Sequence, residues 1–196
     1  MSVFVNATRL RRALVCYTTD VSSIPRVPLP TARLVLEPVS HDHDDDLFQA
    51  SLASRAELLP WMPWAVDMTS QSQSAYAERA IPEWDAGSPA FAITEHGRAI
   101  GVIGLIRVTD SEYEIHHWLA TGSTGRGYVT EAAQALLAWA PAALGARRVV
   151  LHAGMENRRS LAIAERLGFT RDGELEGGMT GGSVAVFPAY SHHVDL

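Results

Sequence analysis

A single cysteine, Cys16, stands in the 196 residues of this chain. It cannot close an internal disulfide, so nothing in the composition demands an oxidising compartment, and the cytoplasm is the simplest location. Cations are also scarce: 16 basic against 22 acidic residues leave a formal charge of −6, with a pI near 5.7. Binding a polyanion needs clustered positive charge, so this balance argues against a nucleic-acid surface. No apolar run approaches the roughly 18 to 20 residues that cross a bilayer. Arg9, Arg11 and Arg12 before Ala13-Leu14-Val15-Cys16-Tyr17 imitate a secretion signal, but the apolar part is too short for one. There is no internal repeat and no second domain. What is present, 47% hydrophobic and 19% charged residues, is the composition of one globular domain with a substantial core.

Residues 1–30 read as an N-terminal extension, with Ile24 to Pro30 as a proline-rich extended linker, and residues 31–196 as the domain. Arg33 to Glu37 alternates as a first strand, and the acidic cluster Asp42 to Asp46 suits the first turn of a helix towards Ala53. Leu58 to Trp64 is too rich in proline for a long helix, and its tryptophans close a core or wall a pocket. Gln71 to Ala86 predicts a helix kinked at Pro82. A hairpin then turns at Glu95-His96-Gly97-Arg98, and Glu112 to Leu119 forms a further strand. Thr130 to about Leu144 predicts a helix, Arg148 to His152 a short strand, and Asn157 to Gly168 a second helix. Phe169 to Leu175 and Ser183 to Asp195 pair through the glycine-rich Gly177 to Gly182. The fold class is α/β of the α+β type, a single domain on a largely antiparallel sheet.

Gly125-Arg126-Gly127-Tyr128-Val129-Thr130-Glu131-Ala132 lies between a strand and a helix. Two glycines let the backbone approach a ligand, and the N–H groups that open a helix lack partners, so a diphosphate fits there, with Arg126 as a fixed cation. The same spacing also serves ordinary strand-to-helix turns. A metal site is disfavoured, because adjacent pairs such as His116-His117 and His192-His193 point to opposite faces of a strand.

This turn and the segment Glu156-Asn157-Arg158-Arg159-Ser160 through Leu167-Gly168-Phe169, with Leu59-Pro60-Trp61-Met62-Pro63-Trp64 in support, resemble the GNAT acetyltransferase superfamily. Within it they are most similar to the ribosomal-protein N-terminal acetyltransferase subgroup, over about Thr31 to Leu175. The resemblance implies a mixed sheet of six to seven strands, helices on both faces and a splayed central pair. It also implies acetyl-CoA as cosubstrate, no metal, and direct attack of a primary amine on the thioester. The pantetheine would run along Trp118 and Leu119, the diphosphate would sit at Gly125, Arg126, Gly127, Tyr128, Val129 and Thr130, and Asn157 would cap the second helix beside the coenzyme. Glu114 would take the amine proton and Ser160 would donate to the departing thiolate. Trp61, Trp64 and His116 would face the acceptor.

Glu112 rivals Glu114, because strand alternation puts both on one face. His116-His117 replaces the subgroup's Gly-Tyr and Gly122 its usual glutamine or arginine, which leaves a noncatalytic acyl-CoA-binding module open. His116 could relay a proton, since imidazole titrates near neutrality, or simply pack. The expected partner is an amine, on a protein N-terminus or a small molecule, with a homodimer allowed and neither membrane nor nucleic acid.

Overall fold

The computed structural model describes residues 24–178 and 184–193. Cys16, with the apolar run around it, and the centre of the glycine-rich connection at 179–183 lie outside those residues. Among the described residues eight strands make one sheet, in the order β1-β2-β3-β4-β5-β6-β8-β7. They are β1 (Leu29–Pro30), β2 (Val35–Pro38), β3 (Ala90–Glu95), β4 (Arg98–Arg107), β5 (Glu112–Leu119), β6 (Arg148–His152), β7 (Thr170–Gly178) and β8 (Val184–His193). Seven longer strands thus carry a two-residue edge strand from the proline-rich stretch, with Leu29 opposite Leu36. That stretch is fastened to the domain as well: Ile24 is buried, and its carbonyl accepts a hydrogen bond of 3.1 Å from Trp84 Nε1.

Every neighbouring pair is antiparallel except β5 and β6, which run parallel because a helix crosses between them. That helix is the fourth of five among the described residues: α1 (Asp44–Ala53), α2 (Arg55–Leu58), α3 (Ser70–Asp85), α4 (Tyr128–Leu144) and α5 (Arg158–Arg166). Local chemistry explains most boundaries. Thr69 and Ser72 cap α3 reciprocally, each side-chain oxygen accepting the other's backbone N–H. His96 and Gly97 both take positive φ, as a two-residue hairpin turn requires. Gly145 ends α4 in the left-handed region.

Strand alternation sorts the core into two layers. On one face Phe91, Ile93, Ile103, Leu105, Ile115 and Leu151 pack with Leu136, Leu137 and Ala140 of α4 and Ala164 of α5. On the other, Ala92 and Val102 meet Leu47 of α1 and Ala77 and Ala80 of α3, with Tyr76 and Trp118 against them. Phe91 joins Trp84 at 4.8 Å and Trp139 at 5.4 Å between ring centroids, so one aromatic cluster ties β3 to α3 and α4. Replacing the fully buried Phe91 with alanine should cost about 3–5 kcal/mol of stability by chemical denaturation. A loss below about 1 kcal/mol would mean that this cluster is not a keystone.

Candidate active site

β5 and β6 share only three register pairs: Glu112 with Arg148, Tyr113 with Val149 and Glu114 with Val150. Beyond Glu114 the two strands part. β5 continues against β4 to Leu119, and β6 continues against β8 to His152. A central strand is thereby left with main-chain N–H and C=O groups along Ile115 to Leu119 that β6 does not satisfy. Such groups bind an extended, amide-bearing chain well. Trp118 and Leu119 lie on this free stretch, Trp118 half-buried and Leu119 in the core.

The end of β5 leads through a short turn at Thr121–Ser123 into α4. Gly125 and Gly127 both hold φ of +78°, a conformation costly for any residue with a Cβ. Gly127 is the N-cap of α4 and no side chain caps the helix. The first α4 amide to reach a carbonyl is that of Glu131, to Gly127 O at 3.0 Å. The N–H groups of Tyr128, Val129 and Thr130 therefore open outward with the positive end of the helix dipole. The helix starts two residues before the expected Thr130, so Tyr128 and Val129 join its first turn rather than the loop. A Cβ at Gly125 would meet nothing within 4 Å. The turn is thus open at Gly125 rather than an occluded bend, and its outward N–H groups are of the kind that receive an anion.

Arg126 does not stand as a free cation here. Its guanidinium lies 3.6 Å from Glu95 and 5.8 Å from the Tyr128 ring centroid, and the Tyr128 hydroxyl donates to Glu95. A second arginine, Arg33, arrives from the opposite side at the foot of β2. Nothing local in the sequence signals it.

At the fork of β5 and β6, Glu114 Oε1 lies 3.1 Å from Nδ1 of His152, the last residue of β6. The contact is close but poorly directed, and the buried Nδ1 makes no hydrogen bond. His152 escaped sequence reasoning because parallel pairing brings it to Glu114 across 38 positions; strand alternation could have placed it on that face only after the register was known. Glu112 is otherwise engaged, in a 2.5 Å ion pair with Arg148. Of the two carboxylates, Glu114 is the one at the fork.

His116 packs over Gly104, where an added Cβ would come within 2.5 Å of its Nε2. His116 and His117 retain some surface, yet their rings are enclosed enough that burial lowers each pKa from 6.5 to about 4. Neither therefore titrates near neutrality, unlike the range expected of His116, and both are uncharged at pH 7.

Asn157 is the N-cap of α5 and its Oδ1 accepts the Ser160 N–H at 3.2 Å, which puts Ser160 in the first turn of that helix. Trp64 meets Trp118 edge-on at 5.6 Å, whereas Trp61 is 40% exposed. Tyr76 of α3 packs against the same face as Trp118, and its hydroxyl is buried without a hydrogen-bond partner. A separate hollow of about 430 Å³, lined by Leu137, Pro141, Arg166 and His192 among others, opens on the far half of α4 and takes no part in this arrangement.

A parted parallel strand pair, with a helix N-terminus beyond each strand end, is a frame for a ligand outside the carboxyl ends of the strands. Residues 33–170 match the family model described as "Acetyltransferase (GNAT) domain". The chain belongs to the GNAT acetyltransferase family. YdaF of Bacillus subtilis (strain 168), provisionally named a ribosomal N-acetyltransferase, is 28% identical over 140 residues, which are 68% of this chain and 75% of YdaF. Among solved structures, a RimL ribosomal L7/L12 alpha-N-protein acetyltransferase in complex with coenzyme A superposes with a TM-score of 0.80 at 22% identity, over 86% of this chain and 99% of RimL. The microcin C7 self-immunity acetyltransferase MccE, in complex with acetyl-CoA and AMP, also reaches 0.80, at 20% identity, over 89% of this chain and all of MccE (100%). At these identities the two structures establish the fold of this GNAT domain.

Two measurements probe the geometry. Gly127→Ala puts a Cβ on a left-handed residue at about 1–2 kcal/mol; the turn relieves that strain by leaving its conformation, and because binding must restore it, acetyl-CoA affinity by calorimetry should fall about tenfold. Unchanged affinity would remove the turn from the binding site. The second concerns pH: because the folded-state pKa values of His116 and His117 are depressed, the unfolded chain takes up protons first as pH falls from 6.5 towards 4, and stability drops across that window. His116→Gln should flatten this slope in denaturation measured at stepwise pH. An identical slope would show that His116 does not contribute.

Proposed function

We propose that this protein is an acetyl-CoA-dependent N-acetyltransferase whose acceptor is the α-amine of a protein or peptide N-terminus. The observation that carries the reading is the fork itself: unpaired main chain on β5, the open amide turn at Gly125 to Thr130 beyond it, and a carboxylate, Glu114, where the strands divide. The names of the relatives support it. RimL is described with coenzyme A and as an alpha-N-protein acetyltransferase, MccE with acetyl-CoA, and YdaF carries the name of a ribosomal N-acetyltransferase.

In this reading the diphosphate lies on the N–H groups of the turn and the pantetheine pairs with β5 along Trp118 and Leu119, which brings the thioester to the fork. The acceptor amine enters from the face that carries Trp64, Trp118, Tyr76 and His116, with Trp61 at its rim. Glu114 takes the proton that the amine must lose, directly or through water, and neighbouring His152 stabilises the carboxylate or shares the proton. The amine nitrogen bonds to the acyl carbon, an N–H on the free edge of β5 steadies the oxyanion, and the C–S bond breaks. The Ser160 hydroxyl donates a hydrogen bond to the departing thiolate, which takes up the proton released through Glu114 and water, and Asn157 sets the helix turn that presents that hydroxyl. Uncharged His116 offers a hydrogen bond without competing as a cation for the acceptor site.

The test is thiol release with acetyl-CoA and a panel of peptide N-termini beside small amines. All 16 basic residues of the chain are arginine, so its own side chains add no lysine amine to the signal. Peptides should outrun small amines. Glu114→Gln should lower kcat about a hundredfold or more with little change in the KM for acetyl-CoA, and Ser160→Ala should lower kcat more than affinity. Faster turnover with free amino acids or polyamines would reassign the acceptor. Full activity in the Glu114 variant would move the base to water or another group.

A further inference from the structure

The amide turn is held from outside by side chains that no local motif announces. Glu131 sits one residue after the last open amide, on the same first turn of α4. Its Oε1 accepts the Thr31 hydroxyl at 2.6 Å and the Arg33 backbone N–H at 2.8 Å. Its Oε2 accepts Arg33 Nε at 2.7 Å and lies 2.6 Å from Nη2. The same guanidinium then crosses the turn: Nη1 donates to the carbonyl of Arg126 at 2.9 Å, and its carbon stacks 4.6 Å from the Tyr128 ring centroid. Nη2 comes within 3.7 Å of where a Gly127 Cβ would be. On the other flank Glu95, the last residue of β3, takes the Tyr128 hydroxyl and pairs with Arg126.

Two features show that this is more than a surface ion pair, which would contribute little. Glu131 is well covered, with 15% of its side chain exposed. Burial alone would raise its pKa, but hydrogen bonds from Thr31 and from the Arg33 main chain and guanidinium, with the charge of Arg33, outweigh that and hold it below the ordinary carboxylate value. Further, two arginines against two glutamates, Arg33 and Arg126 with Glu131 and Glu95, sum to zero charge among these side chains. An anion at the turn is therefore met by N–H groups and the helix dipole, so its binding depends on the shape of Arg126-Gly127-Tyr128 rather than on a loose cation. Arg33 grips one carbonyl of that very stretch.

We propose that Thr31, Arg33 and Glu131 are positioning residues for the coenzyme diphosphate: they lock the segment that leads into β2 onto the first turn of α4 and hold the amides of Gly125 to Thr130 in place. The proposal rests on the reading that acetyl-CoA places its diphosphate at that turn. It makes coenzyme recognition a property of a segment almost 100 positions earlier in the chain.

The experiment compares acetyl-CoA with acetyl-pantetheine, which carries the same thioester and no diphosphate, in the full-length wild type, Glu131→Gln and Arg33→Gln. The wild type should strongly prefer acetyl-CoA. Both variants should raise the KM for acetyl-CoA about tenfold or more with kcat nearly kept, as misplacement of binding groups does, while kcat/KM for acetyl-pantetheine stays at the wild-type level. Arg33→Lys should rescue only in part, because an ammonium cannot span Glu131 and the Arg126 carbonyl as a planar fork does. An unchanged KM for acetyl-CoA in both glutamine variants overturns the proposal, and so does an equal loss with the two donors, which is the mark of a general folding defect. A wild type that uses the two donors equally well overturns the diphosphate reading itself and takes this proposal with it.

Discussion

The parting of β5 from β6 after Glu114 and Val150 is the constraint on which the remaining structure turns. A central strand of a sheet ordinarily has both edges satisfied, and unpaired main-chain polar groups inside a fold are costly. The chain sustains the gap because each strand is anchored on its outer side, β5 by seven register pairs with β4 and β6 by five with β8. The two helices that follow the strands share one buried cluster with them, which includes Leu136, Leu137, Ala164, Ile115 and Leu151. The opening is thus framed by an ordinary core, which is how binding sites are generally kept in shape.

Electrostatics at the two ends of the gap differ in kind. At the turn, fixed charges cancel and the attraction left for an anion is that of oriented N–H groups, which is geometric and needs a shape-holding frame. At the fork, one carboxylate lies against an imidazole at 3.1 Å, with the neutral His116 on the same strand face.

Much of this was legible from the residues. β5 and β6 run over Glu112–Leu119 and Arg148–His152, the same limits that alternation and flanking turn residues marked. The two glycines of the turn were readable because positive φ is a local demand, and Asn157 because a cap acts three residues away. The eighth strand was not, since Leu29–Pro30 becomes a strand only by finding Leu36 and Val35. Arg33 and His152 were illegible for the same reason: each acts on a partner brought near by topology, Glu131 across 98 positions and Glu114 across the parallel crossover. The setting of Arg126 was illegible for a like reason: its charge is visible in the sequence, whereas Glu95, which pairs with it, lies on another strand.

Amide hydrogen exchange across residues 125–130, with and without acetyl-CoA, tests the central claim most directly, because it reads the very N–H groups on which the account depends. Exchange at Gly125 to Thr130 should slow markedly on saturation with acetyl-CoA, together with slowing along Ile115 to Leu119 on the free edge of β5. Unaltered exchange at the turn, in protein shown by calorimetry to be saturated with acetyl-CoA, would contradict it.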